Sequence, residues 1–319
     1  VSKNGDDPKA QDARFEIEES TSRSAELDAE PPGARADLPR AQGHRDWRQR
    51  SAVAFAVLSG FFAIVTGWLW FRLGAPVIPP DVYATIPTAA PTSDPIGYLR
   101  LFDISRDGRL LAYSQGTAGI VIRPLASLDT TVLGDTAVAT YLTFSPDSRQ
   151  LAFYKGGKLF SISISGGAQR EIAQAFVCDG LHWGEDERLY FAAGCGSEGI
   201  WRVAVGGGVP EKVTTVRDVD RENAHGWPEL LPGGKALLYT ALGPSGGSTD
   251  SRVVAQRLGS DAHEVLVDNA IFGRYVPGGY LLYAKDNGTL YAVRFDPSTL
   301  KTSGEHVAIQ SDVGIAPWG

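Results

Sequence analysis

A turn that returns five times along the chain limits its fold more than any other feature. It appears as Ser105 to Tyr113 (SRDGRLLAY), Ser145 to Phe153 (SPDSRQLAF) and Gly184 to Phe191 (GEDERLYF). Two looser copies follow, Leu231 to Tyr239 (LPGGKALLY) and Val276 to Tyr283 (VPGGYLLY). With Asp107, Asp147, Asp186, Gly233 and Gly278 as anchors, the spacings are 40, 39, 47 and 45 residues. After the anchors further strand pairs are readable, around Gly157 to Gly167, Gly199 to Gly206 and Gly288 to Phe295. Glycine (37 residues) and proline (19) fall between short runs of Val, Ile, Leu, Tyr and Phe, as in a chain of short strands joined by tight turns.

A period of 40–45 residues with about four strands per unit is that of a β-propeller blade. The Asp-Gly and Gly-Gly pairs supply the positive φ that tight hairpins require. A parallel β-helix is the competing solenoid, but its repeats are much shorter. The fold class expected is all-β, a propeller of four-stranded blades over residues 82–319. Five blades are readable, and the reading is of an incomplete ring of six or more. The chain has no Met and begins at Val1, so it reads as a fragment, and Ser311 to Gly319 read as an unfinished repeat.

The first eighty residues differ. Residues 1–47 hold eleven acidic and seven basic side chains with few large apolar ones, and residues 1–50 read as a disordered cytoplasmic tail. From Ser51 to Phe71 no charge occurs. A helix of that length spans roughly 31 Å, the thickness of a hydrocarbon core. It is too long, and too far from the N-terminus, for a cleaved signal. Arg35, Arg40, Arg45, Arg48 and Arg50 precede it, whereas Arg72 alone follows before Arg100, which predicts the N-terminus inside and the repeats exported. Trp68 and Trp70 lie at the expected outer interface. Residues 72–81 read as a Pro-rich linker. The localisation expected is a bacterial inner membrane, crossed once by residues 51–71.

The net charge of −7 gives nucleic-acid binding no electrostatic support. His44-Arg45-Asp46 spells a kinase catalytic triplet, but no asparagine follows it and no Gly-rich loop or Asp-Phe-Gly is present. Ser197 lacks the glycine spacing of a nucleophile elbow. Five histidines show no zinc spacing. Asp218, Asp220 and Glu222 could crowd a calcium ion, but the glycine-centred loop is missing and a solvated turn is the simpler reading. Asn287-Gly-Thr289 matches a glycosylation sequon and equally an Asn-Gly hairpin. No catalytic residue, cofactor or metal is expected.

One loop invites a binding role. The insertion from Val213 to Pro228 lengthens the third spacing to 47 residues and carries Glu222, His225 and Trp227, and loops on rigid scaffolds often recognise ligands. The alternative is that Trp227-Pro228 opens the next blade and packs inward. Cys178 and Cys195 are the only cysteines, and both lie on the exported side, where oxidation is permitted. The turn at Gly184 to Glu187 places residues whose numbers sum to about 372 opposite one another, and these two sum to 373. A disulfide is therefore expected, with two separate buried thiols as the alternative.

The Ser-Pro-Asp-x-Arg-x-Leu-Ala-Phe turn resembles the TolB-like propeller repeats of bacteria. Phe144 to Phe153, Gly157 to Gly167, Gly199 to Val209 and Arg221 to Thr240 resemble more closely the exported propeller of bacterial transmembrane receptor serine/threonine kinases. That resemblance implies a sensor or protein-interaction module for an unknown extracytoplasmic protein or small ligand. It also implies a kinase encoded upstream, and Asp81 to Pro87 as the outermost strand of the last blade. The competing assignments are the exported propeller of a membrane-bound transcription regulator and an anchored TolB-like envelope protein.

Overall fold

The computed structural model describes residues 102–313 except Gly196. Twenty strands form five four-stranded sheets. Blade 1 holds β1 (Phe102–Ile104), β2 (Leu110–Ser114), β3 (Ile120–Pro124) and β4 (Thr131–Val132). Blade 2 holds β5 (Thr140–Phe144), β6 (Gln150–Lys155), β7 (Lys158–Ser163) and β8 (Arg170–Gln174). Blade 3 is β9 (Val177–Trp183), β10 (Arg188–Ala193), β11 (Ile200–Ala204) and β12 (Glu211–Lys212). Blade 4 is β13 (Ala224–Leu230), β14 (Ala236–Leu242), β15 (Arg252–Arg257) and β16 (His263–Asp268). Blade 5 is β17 (Ile271–Val276), β18 (Tyr280–Lys285), β19 (Thr289–Asp296) and β20 (Lys301–Gln310). Each sheet is an antiparallel meander in chain order.

The five anchors all lie in the hairpin between the first and second strands of a blade. In blade 1 the Ser105 hydroxyl donates to Asp107 Oδ1 at 2.6 Å and accepts the Leu110 N–H at 2.9 Å. In blade 2 Ser145, Asp147 and Gln150 repeat both bonds at the same distances. The serine hydroxyl bond holds the Asp107 and Asp147 carboxyls below their ordinary range. The turn needs one left-handed residue, which is Gly108 (φ 68°) in blade 1 and Ser148 (φ 60°) in blade 2.

No sheet can cover its own two apolar faces, so the blades stack. Ala112, Ile122, Phe144 and Phe153 close blade 1 on blade 2. Leu159, Trp183 and Phe191 fill the next interface, and Tyr190, Leu237 and Tyr239 the one after. Leu238, Val253, Tyr283 and Phe295 join blade 4 to blade 5. Each fully buried side chain of this size contributes roughly 1.5–3 kcal/mol. The two end faces differ from these. On blade 1, Leu111, Tyr113 and Val121 form a cluster of their own. On blade 5, Leu282, Leu290 and Ala292 are only half-buried, and Tyr280 and Val307 are exposed.

The architecture is thus a five-bladed propeller, and each of the five repeats carries all four strands. The stretches read as tail (1–50), membrane helix (51–71), linker (72–81) and closing strand (Asp81 to Pro87) lie outside the described residues. Among the described residues no helix is long and apolar enough to cross a membrane.

Candidate functional site

First strands of all five blades converge on one cavity of about 330 Å³. Asp103, Thr143, His182, Glu229 and Arg274 hold the same place in β1, β5, β9, β13 and β17, three residues before the turn residues Arg106, Pro146, Glu185, Pro232 and Pro277. All five line the cavity, with Phe102, Ile104, Arg106 and Phe272. Polarity at this one position of every repeat marks the wall of the central channel. The signal was present in the sequence, but it shows only once the five strands are aligned on their turns.

Two of these side chains also tie neighbouring blades together. Asp103 Oδ2 accepts the Phe144 N–H at 2.9 Å, and Glu229 Oε2 accepts the Tyr275 N–H at 3.0 Å. Arg274 Nη1 lies 3.6 Å from Glu229 Oε2. Arg106 leans from blade 1 towards blade 3, its Nη2 3.4–3.5 Å from the ring nitrogens of His182 and 3.4 Å from the Trp183 carbonyl.

The wall is shaped by bulges. In blades 2 to 5 the first strand slips register, and a non-glycine residue there is left-handed: Tyr141 (φ 47°), Asp179 (φ 54°), Trp227 (φ 49°) and Phe272 (φ 65°). Such a φ is uncommon for bulky side chains and is kept only where packing enforces it. Trp227 packs on Phe272 in a tilted ring contact with centroids 4.8 Å apart. Gly180, with φ 122°, must lack a side chain, because a Cβ there would sit 2.9 Å from Trp227 Cα.

The inserted loop places Glu222, His225 and Trp227 below the surface, at 5 %, 0 % and 5 % exposure. Glu222 and His225 lie between blades 3 and 4, and Trp227 packs on Phe272 and Ile271 of blade 5, so none of the three is on a recognition face. Thr214 Oγ1 accepts the Ile200 N–H at 2.9 Å and shares a hydrogen bond of 2.7 Å with His225 Nδ1. His225 Nε2 is hydrogen-bonded to Glu222 Oε2 at 3.1 Å. Burial alone would raise the Glu222 carboxyl, but the bonds from His225 and the Arg217 N–H outweigh it and hold the group low. Burial, with the Arg217 guanidinium, pushes His263 down and keeps it neutral. Ligand atoms of Asp220, Glu222 and His263 lie within 4.8 Å of one another, close enough to suggest an ion. However, Arg217 Nε is 2.9 Å from Asp220 and Arg252 Nη2 is 3.8 Å from Glu222. Two guanidiniums already neutralise the two carboxylates, so a divalent cation would leave a surplus of positive charge. The cluster is an ion-paired seam.

Cys178 and Cys195 are joined, with Cα atoms 4.6 Å apart. Leu189, Tyr190 and Phe191 pair with Trp183, His182 and Leu181, sums of 372, as the hairpin arithmetic requires. The bulge at Asp179 and Gly180 then moves the register, and Cys178 faces Ala192. Cys195 reaches it from the following turn, at φ 53°.

Neither a protein-family model nor a curated protein sequence matches the chain. Solved structures do resemble it. A protein described as TolB from Agrobacterium tumefaciens aligns at TM-score 0.49 and 14% identity, over 66% of this chain and 79% of that one. An oligogalacturonate lyase of Vibrio parahaemolyticus gives 0.45 and 14%, over 63% of each chain, less than two thirds of its length. The Cps50 (Swd1) propeller domain of Myceliophteria thermophila gives 0.47 and 15%, over 64% of this chain and 70% of that one. The chain is similar to TolB-like and other propellers, and its own fold assignment rests on the five sheets and the channel they share.

Proposed function

We propose that the chain is an interaction propeller that receives a partner or small ligand at the channel mouth and works outside the cytoplasm on a membrane anchor. The observation that carries the binding reading is the polar position repeated in all five blades and gathered on one cavity. Its anchoring rests on the uncharged run 51–71 and the arginines before it. The resemblance to receptor serine/threonine kinases supports a signalling role, with a kinase upstream and no catalysis by the propeller. A photocrosslinker in place of Ile104, at the mouth, should capture a partner or ligand that the same group in place of Val209 does not; both side chains are exposed, at 48 % and 91 %. Equal capture from both positions overturns the mouth as the binding end. A reporter active only outside the cytoplasm, fused after Gly319, should be active, and activity of a cytoplasm-only reporter there overturns the topology.

A further inference from the structure

We propose that the strap from Val213 to Asn223 is an acid-released clasp between blades 3 and 4, shut while the His263 ring is neutral and open once that ring takes a proton.

The strap is the inserted link between the two blades, and backbone bonds fix both its ends. The Val213 and Thr214 N–H groups donate to the Ile200 carbonyl of blade 3 at 2.8 and 3.1 Å, and the Asn223 N–H donates to the Leu242 carbonyl of blade 4 at 2.7 Å. Between these ends packing holds the crest weakly: no side chain from Thr215 to Arg221 is buried, and Val219 is 86 % exposed. Two guanidinium contacts tie the crest to blade 4 instead. Arg217 Nη2, on the strap, lies 2.8 and 3.0 Å from the ring nitrogens of His263, and Arg252 Nη2 donates to the Asp220 carbonyl at 2.7 Å.

The Arg217 tie works in one protonation state only. A guanidinium carries donors and no acceptor, so it needs a lone pair on the ring, which a neutral imidazole has and an imidazolium lacks. A proton on His263 removes the bond and sets two cations side by side. The groups around the ring do not absorb that charge. The strap supplies Arg217, Asp220 and Glu222, β13 supplies His225, β14 the Tyr239 hydroxyl at 3.2 Å, and β15 Arg252 and Gln256. Two carboxylates already stand against two guanidiniums, so a third cation is in surplus. Glu222 Oε1 is 3.6 Å from His263 Nε2, but Arg252 shares it at 3.8 Å. The His263 side chain is only 4 % exposed, which leaves little water to solvate the excess charge.

Burial, and then Arg217, hold the ring below its ordinary 6.5 in the shut seam. Released into water it returns to that value, so the open form binds the proton more tightly than the shut one. The strap therefore keeps its full hold above pH 6.5 and loses it as pH falls below 6.5. One proton taken up on opening raises the opening equilibrium by up to about tenfold per pH unit.

The test is amide hydrogen exchange on the full chain in detergent, corrected for the intrinsic effect of pH, at pH 7.5 and pH 5.5. Exchange of the strap amides, with Arg217 and Glu222 among the bonded ones, should rise about threefold or more at the lower pH while β7 in blade 2 stays unchanged. His263→Gln keeps an acceptor for Arg217 and does not titrate, and its strap should exchange slowly at both pH values. Arg217→Gln, at a half-exposed position, removes the tie, and its strap should exchange fast at both. A strap equally protected at both pH values in the unmutated chain overturns the proposal. So does an acid rise shared by β7, or one that survives undiminished in either variant.

Discussion

Asp179 occupies the bulge of β9 with φ 54°, and burial raises its carboxyl above the ordinary 3.8. Burial, together with the Asp179 charge, also pushes the neighbouring Tyr141 hydroxyl to about 12. A raised carboxyl means that the folded chain binds the proton more tightly than the unfolded one. Stability therefore falls as pH rises through the window above 3.8, and the cost persists at neutral pH. Asn tolerates the left-handed backbone and carries no charge. Asp179→Asn should accordingly raise the urea midpoint at pH 7, with the gain shrinking to nothing near pH 3. An equal gain at both pH values would remove burial of the charge as its cause. Thr214 makes the opposite case, a small group with two obligations. Thr214→Val leaves the Ile200 N–H and His225 Nδ1 without their partner at a buried interface. A loss of about 1–3 kcal/mol is expected by chemical denaturation, and a neutral result would show that the seam repacks around the change.

Strands and hairpins were legible where local chemistry dictates them. Every anchor turn falls between two strands, and in four of the five an Asp-Gly, Gly-Gly or Ser-x-Asp motif closes the hairpin by local chemistry. The bulges were not legible. Tyr141, Asp179, Trp227 and Phe272 take a conformation usually left to glycine, and what holds them there lies in the neighbouring blade. Trp227 shows this most clearly. Its ring partner Phe272 is 45 positions away, so the sequence offered a loop aromatic where the fold has an inter-blade contact. For the same reason Glu222 and His225 read as surface groups, although Thr214 in blade 3 and Arg252 in blade 4 enclose them. The cysteine pair stands between these cases, since its proximity was readable and its register was not. It clips β9 to the turn after β10 over a separation of 17 residues. A loop of that size corresponds to roughly 3 kcal/mol, an upper figure because the hairpin is already local. Cys178→Ser should lower the unfolding free energy by up to that amount, and reduction of the unmutated chain should match it. A variant as stable as its parent would mean that the hairpin alone sets the geometry.

Across the whole molecule, each blade rests mainly on the blades beside it, as in other repeat-built folds. Stability should then follow how completely a sheet is covered on its two faces. Blade 4 is the best covered: every residue of β13 and β14 is buried. Blade 5 is covered most fully where Leu281, Tyr283, Val293 and Phe295 meet blade 4, and Ala284 and Leu290 reach only a smaller cluster with Trp227 and Ile271. Its other face leaves Leu282, Leu290 and Ala292 half-exposed, and β20 lies open along most of its length. Amide exchange should be slowest in β14 and fastest in β20, with β18 in between. A pair of truncations tests the cause. Leu238→Ala empties a fully buried site between blades 4 and 5 and should cost about 2–5 kcal/mol. Leu282→Ala removes a side chain that water already reaches and should cost less than half as much, with exchange in β18 little changed. Similar costs for the two would mean that the outward face of blade 5 is packed as tightly as an inter-blade core, and the exchange gradient would then have to arise from something other than coverage.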